Sequence, residues 1–414
     1  MKSTRLASSL PFELQLLLLI LRTEDTPDLN KELHDLAVKG IDWEQFVQLA
    51  NRHRVYPTIM TKLHELEEEL KLGFMESLQL MSRRNTFQML LLTAEMEKVC
   101  KAFREQNIDT LVLKGPVLAE ALYGDLSSRT SKDIDMLVSA EHVEQAEIAI
   151  RQLGYVPDEE IPRILNDMIQ KWHHLGFTHP RTGVQIELHW RMSPETFREP
   201  AFSELWERRQ TMKQTTEPVY YLGQEDLFVY LTLHGARHGW FRLRWLVDID
   251  RMIRMNNMDW KIVIERFRES DSLHVCGQTM ILLSQLFNSP IPSALQTFAD
   301  NDRSQRLAEE AVRIIRELVY IKEKQTQKEA LNYFKVYDKL LSTRQQRLRL
   351  LLNRLYPSSL DAQMLPLPKQ LHFLYFPLRP FLWAWRKKNS KHQHKIVTKN
   401  HAATKQEPKK VNVL

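Results

Sequence analysis

The chain has little of three things that narrow its class: cysteine, glycine and long apolar runs. Its 414 residues include only Cys100 and Cys276 as cysteines, which excludes a disulfide-built domain and favours a reducing compartment. Its 11 glycines predict a mostly helical protein with few sharp turns. The apolar stretch 15–23 follows Glu13 and is too short for a membrane span, so we expect a core helix and no signal peptide.

The positive charge of the chain is concentrated at its end. The formal net charge is +6, but residues 386–414 alone hold nine Lys or Arg and one Glu. The preceding 385 residues therefore carry −2. We predict a disordered tail, and because no aromatic pattern accompanies its lysines, we do not expect it to bind nucleic acid.

The apolar periodicity predicts five regions along the chain. These are an N-terminal helical region (1–108), a core of mixed strands and helices (109–200), a C-terminal helical region (201–355), a Pro- and aromatic-rich ending (356–385) and the basic tail (386–414). Within the core, we predict a strand at 133–138 and a hairpin around Pro180–Gly183.

Two aspartates open the strand-like segment DIDMLV (133–138). Residues i and i+2 of a strand share a face, so Asp133 and Asp135 point one way and Ile134 the other. Two carboxylates so placed cost free energy unless a cation lies between them. Since Mg²⁺ prefers one or two carboxylates plus phosphate oxygens, the pair predicts a metal site, although such pairs also occur on solvated strand edges.

A second strand, VQIELHW (184–190), predicts a third carboxylate. Glu187 and His189 alternate with the apolar Ile186 and Leu188 and therefore share one face. If this strand lies beside the aspartates, Glu187 completes a set of three carboxylates suited to two-metal nucleotidyl transfer. His189 would then orient Glu187 or contact a phosphate.

The segment LVLKGP (111–116) predicts a phosphate cradle. Gly115 lets the backbone approach a phosphate closely, and a helix starting at Pro116 offers free N–H groups. Lys114 and Arg129 would supply positive charge. The alternative is that both cations pair with the aspartates as structural ions.

A helical block downstream adds polar candidates. His234, Arg237 and His238 are predicted to line the nucleotide or acceptor cleft, with zinc binding at i, i+4 and hydrogen bonds to the core left open as alternatives. Asp248 follows a buried-looking stretch, so we expect it to pair with a nearby Arg or His.

Taken in order, the motifs K-G, Y-G-D, R-x-x-x-D-x-D and I-E-L-H-W resemble the bacterial family of uncharacterised nucleotidyltransferases in the DNA polymerase β-like superfamily. The similarity extends to HGARHGWFRLRWLVDID (234–250) and covers roughly residues 40–385. Gly115-Pro116 stands where the superfamily has two small residues, which is a departure from its pattern. The resemblance implies an α+β fold, in which a small mixed sheet of the polymerase β palm-like type is embedded in a mostly helical protein.

The resemblance also implies metal-dependent transfer of a nucleotidyl group from an NTP, with ATP among the candidates, and release of pyrophosphate. Asp133, Asp135 and Glu187 would be the catalytic residues and would bind Mg²⁺ or Mn²⁺. The residues implied in nucleotide binding are Lys114, Gly115, Arg129, His189, His234, Arg237 and His238. The acceptor stays open among a sugar phosphate, a peptide and a protein, in polysaccharide or peptide natural-product biosynthesis. The alternative is an inactive nucleotide-binding or scaffolding protein.

The segment 371–388 combines Trp and Tyr with Lys and Arg, a composition that suits an anionic membrane surface. Pro377 and Pro380 are expected to break any helix there. We expect a cytoplasmic protein, with peripheral contact at the inner face of the membrane as the open alternative.

Overall fold

A computed structural model describes residues 10–22, 27–37, 40–70, 74–193, 198–317 and 334–386. The predicted basic tail lies outside these residues, apart from Arg386. The strands are Thr110–Val112 (β1), Asp133–Val138 (β2), Val156–Pro157 (β3), His174–Thr178 (β4), Gln185–His189 (β5), Gln210–Thr211 (β6) and Tyr220–Tyr221 (β7). The α-helices are Phe12–Leu21 (α1), Pro27–Ala37 (α2), Trp43–Arg52 (α3), Tyr56–Leu70 (α4), Met75–Glu105 (α5), Pro116–Tyr123 (α6), Val143–Gln152 (α7), Met168–Lys171 (α8), Phe202–Glu207 (α9), Gln224–Arg237 (α10), Leu243–Met255 (α11), Trp260–Glu269 (α12), Leu273–Phe287 (α13), Gln296–Ala299 (α14), Asp302–Glu317 (α15), 334–341 (α16), Arg344–Leu355 (α17), Ser359–Met364 (α18) and 375–386 (α19).

The chain forms two compact units. The first contains Met1–Glu159 and His173–Arg347, and the second contains Glu160–Trp172 and Leu348–Leu414. No helix among the described residues is long and apolar enough to cross a bilayer.

The first unit begins with the predicted helices. The apolar stretch predicted to be a core helix is α1, in which Leu14 and Leu17 are fully buried. The chain turns between α3 and α4 at Arg54, whose φ is 57°. Pro57 does not interrupt a helix, because it lies in the first turn of α4, where a missing N–H costs nothing.

A seven-stranded mixed sheet follows, in the order β3-β4-β5-β2-β1-β7-β6. The predicted hairpin is the antiparallel pair β4 and β5, and β2 runs parallel to β5. Strand β2 spans the predicted residues 133–138. This mixture of a small sheet and many helices confirms the predicted α+β class.

The two faces of β2 and β5 differ because side chains alternate. Ile134, Met136, Ile186 and Leu188 are fully buried, and both strands contact helices, β2 with α5 and β5 with α7. The opposite face carries Asp133, Asp135, Glu187 and His189. One face thus belongs to the apolar core, and the other is free for chemistry.

The C-terminal helices of the first unit form a second apolar region. Helix α13 is buried along most of its length and contacts α14 and α15. Cys276 lies in it, and both Cys276 and Cys100 are free and buried, as expected of small apolar side chains.

The second unit contains short helices around a buried ion pair. Asp361 in α18 is fully buried and pairs with Arg379 in α19, with Nη1 2.6 Å from Oδ1. The expectation that Pro377 and Pro380 break any helix was wrong, since both lie in α19. Pro377 falls in the first turn, where no N–H is needed, and Pro380 removes only one hydrogen bond.

Candidate active site

A cleft of about 490 Å³ opens on the polar face of β2 and β5, within the first unit. Its floor is the sheet, and its wall comes from α10, α11 and the corner between α3 and α4. The lining residues are Arg54, Lys114, Asp133, Asp135, His173, His174, Glu187, His189, Tyr230, His234, Arg237, His238, Phe241, Arg242, Arg244 and Trp245. The three sequence-predicted carboxylates therefore share one cleft.

The backbone register sets the carboxylates side by side. Asp135 of β2 pairs with Glu187 of β5, and Asp133 lies two positions earlier on the same face. Asp135 is fully buried. Its Oδ1 is 3.0 Å from Lys114 Nζ, but its Oδ2 has no hydrogen-bond partner among the residues that the structure describes. Burying an unpaired carboxylate oxygen is costly, and a ligand that paired with this atom would relieve that cost.

Lys114 reaches Asp135 because the chain turns sharply after β1. The Leu113 N–H donates to the Asp135 carbonyl at 2.9 Å, which extends the pairing to the edge of the turn. Gly115 then adopts φ 86° and ψ −133°, a conformation that only glycine adopts without strain. Pro116 begins α6 at its first position. The predicted strand, glycine turn and helix start are all present.

Opposite charges and burial compete at this centre. Burial raises the pKa of the Asp135 carboxyl, but the Lys114 charge and the hydrogen bond from His189 outweigh it and hold that pKa well below its usual range. Burial and the charge of Asp135 raise the pKa of Asp133. The pKa values of the two aspartates thus shift in opposite directions. Asp133 carries the unfavourable negative charge, which a bound cation would stabilise.

His189 connects the carboxylates of both strands. Its Nε2 lies 3.3 Å from Asp135 Oδ1 and 3.2 Å from Glu187 Oε2. Asp135, Glu187 and His189 each offer one ligating atom, and these atoms lie within 4.8 Å of one another. Asp133 is outside this group but lines the same cleft. Carboxylate oxygens suit Mg²⁺ and Mn²⁺, so the donors present fit a divalent cation.

The wall of the cleft depends on a tight turn after α10. Trp240 is fully buried and folds against Gly235, where an added Cβ would lie 2.2 Å from the indole ring. This packing ends α10 and directs the chain into α11. His234, Arg237 and His238 therefore reach the cleft from the end of α10. Burial, together with the charges of Lys114 and Arg237, lowers the pKa of both histidines, that of His238 to about 4.

Three further arginines, which the sequence analysis did not identify, also reach the cleft. Arg54 comes from the α3–α4 corner, and Arg242 and Arg244 stand at the start of α11. Arg244 is fixed by bonds from its Nη1 to the Thr130 carbonyl and hydroxyl. Burial lowers the pKa of Arg244 to about 9 and that of Arg54 to about 10, so both remain charged at neutral pH.

Arg129 does not line the cleft. Its Nε and Nη2 donate to Asp248 at 3.0 and 2.9 Å, and its Nη1 donates to the Thr130 carbonyl. The predicted pairing of Asp248 is thus confirmed, with Arg129 as the partner. With its nitrogens committed and 1% of its surface exposed, Arg129 supports the loop before β2 instead of facing a ligand.

The charges of the cleft favour a polyanion. Five cationic side chains and three carboxylates line it. Cations held near buried carboxylates can neutralise phosphates while the carboxylates hold a metal ion. The fold and this cleft define a class of protein: an α+β protein whose cleft combines clustered cations with carboxylates that could hold a metal ion.

The family model of the uncharacterised nucleotidyltransferases matches residues 39–288. The chain belongs to this family, and the resemblance seen in its motifs is confirmed. Membership implies a nucleotide as substrate, a transferase activity and the divalent cations that nucleotidyltransferases generally use. No curated protein matches the chain.

Two solved structures resemble the fold distantly. One is the antibiotic-resistance factor ANT(2'')-Ia in solution, at 13% identity and a TM-score of 0.31, covering 44% of this chain and 92% of that one. The other is an antigenic nucleotidyltransferase-like protein from Paracoccidioides brasiliensis, at 14% identity and a TM-score of 0.30, covering 49% and 94%. TM-scores this low support no residue-level correspondence.

Proposed function

We propose that the protein transfers a nucleotidyl group from an NTP to an acceptor with release of pyrophosphate, and that Asp133, Asp135 and Glu187 form its metal-binding centre. The observation that carries this proposal is the register pair Asp135–Glu187, with Asp133 on the same face and the buried Oδ2 of Asp135 without a partner. Mg²⁺ or Mn²⁺ bound there would stabilise negative charge on the reacting phosphates.

In this proposal, the cationic side chains of the cleft bind the phosphates of the NTP. Lys114 is ion-paired with Asp135 and keeps that carboxylate charged and positioned. Arg237, Arg242 and Arg244 line the cleft on the opposite wall and would contact the triphosphate. Arg129 is left out of the phosphate-binding set because its guanidinium is committed to Asp248.

The acceptor chemistry follows from Glu187, whose side chain is 34% exposed. An acceptor oxygen attacks the α-phosphorus, the bond to the bridging oxygen breaks and pyrophosphate leaves. Glu187 would accept the proton of the acceptor, while His189 donates from Nε2 to hold the carboxylate in place. A sugar phosphate, a peptide and a protein hydroxyl all satisfy this scheme.

The test uses Asp133→Asn and Glu187→Gln, with isothermal titration of Mg²⁺ and each NTP. These positions are preferable to Asp135, whose loss would leave the buried Lys114 uncompensated. We expect Mg²⁺-dependent binding in the wild type and at least about tenfold weaker binding in each variant, the loss expected from one charge-assisted contact. Equal binding in all three proteins would contradict the proposed centre.

An inactive nucleotide-binding or scaffolding protein would share the same cleft. Labelled NTP incubated with the protein and a cell extract distinguishes the two, because only a transferase leaves label on an acceptor. Label that appears with the wild type and not with Glu187→Gln would identify both the activity and the acceptor.

We also propose that the second unit contacts an anionic membrane surface. Phe373, Phe376 and Phe381 are 64%, 54% and 73% exposed, and Trp385 is 49% exposed. Between Arg344 and Arg386 the only acidic residue is Asp361, which is buried against Arg379. Exposed aromatics in a segment whose single acid is buried suit an interface of anionic lipids.

Vesicle sedimentation tests this second proposal with the full chain. Wild-type protein should sediment with phosphatidylserine vesicles and not with phosphatidylcholine vesicles, and high salt should weaken binding. Phe376→Ser/Phe381→Ser should lose most binding, whereas Phe87→Ser, an exposed phenylalanine in the first unit, should keep it. Equal binding by both variants would rule out this surface.

A further inference from the structure

Two histidines beside the carboxylates, His173 and His174, have no role in the proposed transfer, and they form a group with His189. One ring nitrogen from each of His173, His174 and His189 lies within 4.8 Å of the others. All three line the cleft. Imidazole suits Zn²⁺, Co²⁺ and related cations, whereas Mg²⁺ takes oxygen ligands.

The backbone holds these histidines together. His174 of β4 is the register partner of His189 of β5, so their side chains share one face of the sheet. His173 precedes β4, and its carbonyl accepts the Trp190 N–H at 3.1 Å. The rings of His174 and His189 stack with centroids 5.0 Å apart. Two histidines of the cluster therefore occupy strand positions, and the third directly precedes a strand and is held by a backbone hydrogen bond.

The hydrogen bonding of His189 matches that of a metal ligand. Its Nε2 lies against Asp135 and Glu187, while its Nδ1 is buried and has no partner among the described residues. His189 itself is 4% exposed. Metal-binding histidines commonly donate one ring N–H to a carboxylate and ligate through the other nitrogen. The Nδ1 of His189 is the nitrogen left for that purpose.

The spacing of the other two rings is also suitable. His174 Nδ1 lies 3.1 Å from His173 Nε2. Two imidazole nitrogens on one tetrahedral zinc, each about 2.0–2.1 Å from the metal, are roughly 3.3 Å apart. We infer that His173, His174 and His189 bind a transition-metal cation of the Zn²⁺ class next to the carboxylate centre. Three protein ligands leave a coordination position for water or a substrate oxygen.

This site stands independently of the proposed transfer, because it concerns imidazole ligation and not catalysis. Full-length, chelator-treated protein is titrated with Co²⁺ while visible absorption is recorded. We expect the intense bands of tetrahedral cobalt with nitrogen ligands, displaced by stoichiometric Zn²⁺ and not by millimolar Mg²⁺. A weak octahedral spectrum, or displacement by Mg²⁺, would overturn the inference without any variant.

Variants then assign the ligands. His173→Gln and His174→Gln should each weaken Zn²⁺ binding more than about 100-fold, since even outer-shell partners are worth 10–100-fold. His64→Gln, at an exposed position elsewhere in the chain, should not change the affinity. Equal affinity in all three would overturn the site.

Asp133→Asn separates this site from the proposed function. Asp133 belongs to neither group of ligating atoms described above, so this variant should keep the Co²⁺ spectrum while losing Mg²⁺-dependent NTP binding. A spectrum that persists in a protein without any NTP binding would contradict the proposed function alone. NTP binding without a nitrogen-ligated spectrum would contradict this inference alone.

Discussion

Two buried ion pairs in the first unit are alike in distance and burial but differ in their remaining hydrogen bonds. Lys114–Asp135 and Arg129–Asp248 are separated by 3.0 and 2.9 Å, and both carboxylates are fully buried. Asp248 accepts from Arg129 at both oxygens and also from the Tyr123 hydroxyl at 2.8 Å. Asp135 leaves Oδ2 without a partner among the described residues.

The difference separates a structural pair from the pair that we propose to be functional. A buried ion pair is stable only if its remaining hydrogen-bonding capacity is satisfied. At Asp248 that capacity is filled by protein atoms, whereas at Asp135 it is left open toward a cleft. An incompletely satisfied carboxylate is therefore a better indicator of a ligand site than its burial or its ion pair.

Arg129→Met should have the largest effect on stability. It removes the bidentate donor and leaves a fully buried carboxylate at Asp248 with Tyr123 as its remaining partner. Breaking a buried pair in this way costs about 3–5 kcal/mol, which urea unfolding will measure. Arg129→Met/Asp248→Asn should recover part of the loss because the uncompensated charge is gone. A single variant as stable as the wild type would remove the basis of the comparison.

Lys114→Met should cost less, although it also leaves a buried carboxylate. Lys114 is 13% exposed and lies at the cleft, so water can replace part of its contact with Asp135. We expect a loss of about 1–3 kcal/mol, the range for an unsatisfied buried group. Millimolar Mg²⁺ should raise the Tm of this variant more than that of Arg129→Met, since only Asp135 is open to a cation. An equal Mg²⁺ response in the two variants would show that the pairs do not differ.

Asp133→Asn should change stability in the opposite direction. Burial and the charge of Asp135 disfavour an ionised Asp133, so removing its charge should stabilise the protein, on the order of 0.5–2 kcal/mol. Thermal unfolding without divalent cations measures this gain. Asp109→Asn, at an exposed position before β1, is the matched control and should be neutral. A less stable Asp133→Asn would mean that Asp133 is held by favourable protein contacts and does not await a cation.

The floor of the site was predictable because strand alternation is local. The period of two assigns Asp133 and Asp135 to one face of their strand. It likewise assigns Glu187 and His189 to one face of theirs. That β5 lies beside β2 in register is a long-range fact, which entered the sequence analysis only as a condition. The hairpin between β4 and β5 was readable from Pro180–Gly183, but the neighbour of β5 on its other side was not.

The wall was less predictable, since it depends on tertiary packing. Arg129 stands four residues before Asp133, yet its partner Asp248 is 119 positions away, and proximity in sequence did not indicate that pairing. Arg242 and Arg244 reach the cleft because Trp240 packs on Gly235. The sequence shows a glycine and a tryptophan there, but not that one folds against the other.

Glu187→Gln should have the smallest effect on stability and so tests function most cleanly. Its side chain is 34% exposed and contacts His189, so we expect a change within about 0.5 kcal/mol, as for other substitutions away from the core. Glu144→Gln, an exposed acid in α7, should be equally stable. Mg²⁺-dependent NTP binding should fall only in Glu187→Gln, because Glu187, unlike Glu144, lines the cleft together with Asp135. If both glutamines bind NTP like the wild type, the open carboxylate at Asp135 is a packing defect and not a ligand site.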